Sequence, residues 1–371
     1  MTERMRRRLP VLLVAALGLI SLVLPLFLST TNIEIYVTIG LSTIVVIGLS
    51  LLMGFAGQVS LGQAAFYGIG SYTAAILSLH GWSSLEALIA APIVTAFLAF
   101  LIGIPLLRLQ GHALAFGTLA VQLIFLAVIP ETASLTGGSI GLSGIPSLRI
   151  GPLAIGSGRD YAYLVWVVVA AALIVARNLT RSRPGRGLRA MAASVSGASA
   201  TGVEVVRYRL KDFTLSAAFA GIAGGIYVFF IGYISPDAFP VILSIEFVIM
   251  VVVGGIGTVS GALVGAVLVT VISQVLTSLG TNPSLPAQLP TVLSLGVYAL
   301  VLIVILRLAP AGLVGVLRNL WKKGGAASPS SSRESGGTGV DVVPIGEGTG
   351  REVPLLVDEA SPGPSTFLAG Q

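Results

Sequence analysis

Apolar residues fall in long runs separated by short polar or glycine-rich breaks: 9–28, 33–53, 61–79, 85–107, 113–129, 161–176, 213–231, 242–256, 262–279 and 289–308. Continuous apolar segments near the roughly 20 residues that cross a bilayer predict helices, because lipid offers a backbone amide no partner outside its own segment. The pattern therefore predicts an all-α, polytopic membrane protein with about ten transmembrane helices. The run 242–256 is short for a crossing of its own.

Two breaks interrupt the pattern with polar residues at membrane depth. The stretch 53–72 is dense in glycine and holds Gln58, Ser60 and Gln63 with no charge nearby to draw them to water. Irregular backbone at that depth is tolerated only where protein buries it or where it lines a cavity. The break predicts a discontinuous helix whose free amides and glutamines face a substrate path. The competing expectation is close helix packing through Gly54, Gly57 and Gly62, with the glutamines bonding across helices. The second break, 232–265, carries Pro236, Asp237 and Pro240, then Glu246 inside an apolar run, then Gly254, Gly255 and Gly257. Pro236 and Pro240 prevent a regular helix. An ionisable residue such as Glu246 needs a partner, a water-filled cavity or a place near a span end.

Charge orients these spans. The internal segment 177–212 gathers Arg177, Arg181, Arg183, Arg186, Arg189, Arg207, Arg209 and Lys211 against Glu204, which predicts a cytoplasmic loop. Arg4, Arg6, Arg7 and Arg8 precede the first apolar run, so 1–32 is expected to be a basic cytoplasmic N-terminus and a retained first span. Ten crossings then keep both termini inside the plasma membrane of a bacterium. The loop is longer than a turn needs, and its middle, 187–206, reads as a short helix followed by a small-residue turn at 197–202. Leu188, Met191, Val195, Val203 and Val206 give it a weak apolar face on which a separate protein could dock; the plainer expectation is a topology signal and nothing more. The glycine-rich excursion 131–160 falls outside and is expected to cap an external vestibule or to be a simple loop. From 324 to 371 serine, glycine, proline and acidic residues replace the apolar pattern, predicting a disordered cytoplasmic tail.

Composition excludes several classes. Only 10% of residues are charged, against about a quarter in soluble domains. There is no cysteine, and His80 and His112 lack companions for a metal site, so neither catalytic nor metal-ligating residues are expected. Lys211, Lys322 and Lys323 are the only lysines and none completes a phosphate-binding loop, so this chain is expected to bind no cofactor and to hydrolyse no ATP. The glycines from Gly254 to Gly261 lie between membrane helices and make no dinucleotide site. Two further classes stand beside a passive path: a secondary transporter driven by an ion gradient, with Glu246 as its proton or cation site, and an intramembrane enzyme, for which no nucleophile and base converge.

The stretch GLSLLMGFAGQVSLGQAAFYGIGSYTAAIL, followed by RPGRGLRAMAAS and the run from there through GGIGTVSGALVGA, resembles the LivM-type permeases of high-affinity branched-chain amino acid ABC importers. The likeness covers about 35–308. It implies a permease domain over 33–323 whose partners are a second, LivH-like permease, two cytoplasmic ATP-binding subunits that hold the ATP, and an extracytoplasmic solute-binding protein. It also implies that the 186–208 region, with Arg186, Arg189, Ala193, Gly202 and Arg207, meets the ATPase. The family's usual acidic residues before an alanine pair are replaced here by Ala193, Ser194, Val195 and Ser196. Related permeases carry urea, short amides, other amino acids or simple sugars.

Overall fold

The computed structural model describes residues 24–280 apart from 110 and 152, together with 307 and 312. The expected last span, most of the first and the tail lie outside the described residues. The helices are α1 (Thr30–Phe55), α2 (Gln63–Leu79), α3 (Ser84–Leu106), α4 (His112–Glu131), α5 (Ala133–Thr136), α6 (Gly158–Arg181), α7 (Arg183–Ala193), α8 (Val195–Ala200), α9 (Val205–Ile231), α10 (Val241–Gly254) and α11 (Val259–Gly280). Among the described residues, six stretches are long and apolar enough to cross a membrane: α1, α3, α4, α6, α9 and 236–254, which joins a 3₁₀ turn to α10. The protein is a multi-pass membrane protein.

Side chains and glycines set where these helices begin and end. Ser83 and Ser157 each close a capping box, with Glu86 and Asp160, that satisfies the first amides of α3 and α6. Gly232, in the left-handed region at φ +74°, ends α9. The helix α9 starts at Val205 rather than at the expected Phe213, and α6 continues through Arg177 and Arg181. Arginine and lysine are good helix formers with apolar stems, so the basic residues extend the helices instead of ending them. Only 182–204 is left as the connection between these spans.

The bundle is built around α1, which is almost wholly buried, whereas α3, α4 and α6 keep most of their surfaces outward. Contacts fix the directions. Ile33 near the start of α1 lies by Gly158, and Gly48 further along meets Ser216 and Phe219 of α9. Gly70 of α2 lies against Gly221, where an added methyl would come 2.6 Å from the Gly221 Cα. Such contacts let helices associate in lipid, where apolar surface alone gives no preference for protein over tails. Helices α1, α3 and α6 thus run toward the end that carries the arginines, here the basic end, and α2, α4 and α9 run away from it.

At the opposite end the chain departs from the all-α expectation. Strand β1 (Leu142–Ser143) pairs antiparallel with β4 (Tyr233–Ile234), and β2 (Leu148–Ile150) with β3 (Leu153–Ile155). Leu148 and Ile155 are buried, and the Tyr161 hydroxyl receives the Leu148 amide at 3.3 Å while donating to the Phe229 carbonyl at 2.8 Å. The excursion is therefore fastened to α6 and α9.

Candidate functional site

Helix α1 stops at Phe55, and the chain turns through Gly57 at φ +65° before α2 begins. Nothing would crowd a Cβ at Gly57, so it serves the bend and not helix packing. Gly54 does the opposite: its Cα faces the backbone of Gly257, which brings the two breaks, 56–62 and 255–258, into contact. Gly62 lies on the Thr118 carbonyl, and Gly254 packs on the backbone of Gly261. Gly255 and Gly257 both take positive φ, and Pro236 is buried in the 3₁₀ turn.

Three amides at the break and the start of α2 are not free donors, contrary to expectation. The Leu61 amide donates to Thr118 Oγ1 at 2.8 Å, that of Ala64 to Ser244 Oγ at 2.9 Å, and that of Gly62 to Ser60 Oγ at 3.4 Å. Ser244 Oγ donates in turn to Gln122 Oε1 at 3.3 Å, and Gln122 Nε2 to the Phe239 carbonyl at 2.9 Å. Gln63 Nε2 donates to Ser216 Oγ at 3.1 Å. Helices α4, α9 and α10 thus close the break with their own side chains. An unpaired amide buried in the membrane would cost several kcal/mol, on the order of what one such bond restores.

Gln58, Ser60 and Gln63 are brought together at this break and all are buried, at 3%, 0% and 0% exposure. Both amide atoms of Gln58 and the Oε1 of Gln63 have no partner among the described residues. Glu246 is not brought to them. It is half-buried on α10 two residues after Ser244, and residues two apart point to different sides of a helix. Toward the end away from the arginines, Phe239 sits in a cluster with Tyr67, Tyr72, Phe125 and Tyr227 at ring separations of 5.5–6.4 Å. This aromatic layer covers the polar one.

Sequence reasoning passed over Thr118, Gln122, Ser216, Ser244 and Asp212. A signal was present for most: Thr118 with Gln122, and Asp212 with Ser216, are polar pairs four apart, on one face of an otherwise apolar helix. Asp212 was hidden because it follows a basic run. It is 3% exposed, and neither carboxylate oxygen has a partner among the described residues.

At the basic end Arg186, Arg189, Ala193, Gly202 and Arg207 are all exposed. Ser182 caps α7 and Ser194 caps α8, and Arg207 pairs with Glu204 at 2.7 Å on the surface. Leu188 and Met191 do not form an outward apolar face; they are buried in the chain's own packing, which leaves Val195 and Val206 exposed. Gly202 is not crowded either. No atom lies within 4 Å of an added Cβ, and its φ of +83° is what calls for glycine.

Residues 32–306 match the family model described as branched-chain amino acid transport system / permease component. The chain belongs to this permease family. It is 31% identical over 284 residues to the high-affinity branched-chain amino acid transport system permease protein LivM of Salmonella typhimurium, covering 70% of this chain and 67% of that one. It is 30% identical to LivM of Escherichia coli over the same shares. LivH of Salmonella typhimurium is 27% identical, over 75% of this chain and 93% of its own length. A fructose import permease protein, FrcC of Rhizobium meliloti, is 33% identical over 33% of this chain. No solved structure matches. The chain is thus a LivM-type permease, and the matched span takes in both helix breaks and the α7–α8 connection.

Proposed function

We propose that this permease forms the transmembrane path for leucine, isoleucine and valine in an ATP-driven importer of a bacterial plasma membrane. In this reading the basic end faces the cytoplasm, and both termini lie on that side. The chain pairs with a LivH-like permease, two cytoplasmic ATP-binding subunits hold the ATP, and an extracytoplasmic binding protein delivers the solute. The observation that carries the reading is the family match over 32–306, alongside relatives whose names include both LivM and LivH.

The geometry supports a closed state of such a path. Gln58, Ser60 and Gln63 lie under an aromatic layer, and an amphipathic amino acid calls for both kinds of surface. Opening the path would require α4 and α10 to release the amides of Leu61 and Ala64. Arg186, Arg189, Ala193, Gly202 and Arg207 form the surface that receives the ATPase, whose hydrolysis drives that release. The chain itself binds no cofactor and catalyses no reaction.

The test is reconstitution in vesicles with the second permease, the ATPases and the binding protein. Leucine uptake that depends on ATP, and is lost when α7 and α8 are replaced by a flexible linker, is expected. Uptake that persists without ATP under an ion gradient would overturn this reading in favour of a secondary transporter.

A further inference from the structure

The hydrogen-bonded layer at the break leaves four buried oxygen atoms without a partner among the described residues: both of Asp212, Oε1 of Gln58 and Oε1 of Gln63. Contacts on three elements draw them to within about one helical turn of each other. Ser216 receives Gln63 Nε2, and Asp212 lies four residues before Ser216 on the same face of α9. Gly48 of α1 lies on the Ser216 backbone, at 3.0 Å from its carbonyl oxygen to an added Cβ. Because α1 and α9 run in opposite directions, Leu52, four residues after Gly48, falls at the level of Asp212. The Leu52 carbonyl accepts the Gln58 amide at 3.2 Å, which ties Gln58 to the same level. The site is thus the carboxyl end of α1, the first residues of the break and one buried carboxylate.

Lone pairs of a carboxylate and two amide carbonyls call for a cation, and a helix carboxyl end favours the same sign. No described side chain supplies it. Arg207 is bound to Glu204 at the surface and Lys211 is exposed. Arg209, three residues before Asp212, forms no ion pair with it among the described residues, although its own Nε is also buried without a partner there. One negative charge buried at this depth is neutralised by one positive charge, whereas a divalent ion would leave an excess. Gln58 Nε2, a donor also without a partner among the described residues, would suit an anionic group attached to that cation.

We propose that Asp212, Gln58 and Gln63 bind a small monovalent cationic group, an alkali ion or the α-ammonium of an amino acid, at the α1–α2 break. The ammonium alternative rests on the transport reading above; the alkali alternative does not. The test uses the full chain in neutral-lipid nanodiscs, melted in N-methylglucamine chloride and then with sodium, potassium or leucine at constant ionic strength. One of the three is expected to raise the melting temperature saturably, by about 2–4 °C at ten times the half-saturating concentration. Asp212→Asn is expected to abolish the shift. Gln58→Leu, which keeps the carboxylate, is expected to raise the half-saturating concentration by about tenfold and carries the test if Asp212→Asn does not fold. Arg209→Gln is expected to keep the response.

A flat wild type, a shift that Asp212→Asn retains, or stability that follows pH and not the ion would each overturn the proposal. So would a response that emerges only in Arg209→Gln, since Arg209 would then be the counter-ion. A flat wild type together with intact ATP-driven leucine uptake removes this site while leaving the transport function standing. A clear alkali response without uptake does the reverse.

Discussion

Ser244 shows how much a single side chain does in this bundle. It accepts the Ala64 amide in the first turn of α2 and donates to Gln122, so one hydroxyl links α2, α4 and α10. Ser244→Ala leaves the Ala64 amide and Gln122 Oε1 buried without that partner, and is expected to destabilise the protein by about 1–3 kcal/mol. Unfolding of the purified variant in detergent would measure it; an unchanged midpoint would mean that the bond contributes nothing. Gln58, Ser60 and Gln63 were legible in the sequence because polar residues without charge stand out in an apolar run. Ser244 and Asp212 were not, since one serine in a helix is unremarkable by type and an aspartate after arginines reads as solvated. Their weight comes from burial, which depends on neighbours far away in sequence.

At the scale of elements, the connection between α6 and α9 turns on two short capped helices and Gly202. The positive φ there predicts a graded outcome. Gly202→Asn, a residue that tolerates the left-handed region, is expected to couple hydrolysis to uptake almost normally, while Gly202→Val costs on the order of 1–2 kcal/mol of backbone strain and is expected to lose coupling. Equal effects of the two, read as hydrolysis and uptake in the same vesicles, would show that side-chain volume and not backbone conformation matters. The short helix was readable in the sequence, whereas most of the expected small-residue turn is a second short helix, Val195–Ala200, that ends just before Gly202. The burial of Leu188 and Met191 was not, because a weak apolar face looks the same whether it is covered from within or from outside.

For the whole molecule, Ser157 lies at the start of α6 and Ser194 beyond its far end, between α7 and α8, both exposed. The chain has no native cysteine, so single cysteines can be placed without a background. Ser194→Cys is expected to react with an impermeant thiol reagent only from the cytoplasmic side, and Ser157→Cys only from outside; labelling of both from one side would remove the topology. The sequence by itself determined that this is a helical, multi-pass membrane protein and where its helices break. Apolar run length, charge at span ends and glycine density are local properties that lipid reads directly. Only the tertiary structure decided that α1 is the buried centre, that the amides of the break are closed by α4 and α10, and that Asp212 is enclosed beside it. In lipid an apolar helix gains little from hiding its surface, so which helix lies inside depends on close contacts such as Gly48 on Ser216 and Gly54 on Gly257. Those pairings join residues far apart along the chain, and no single stretch of sequence records them.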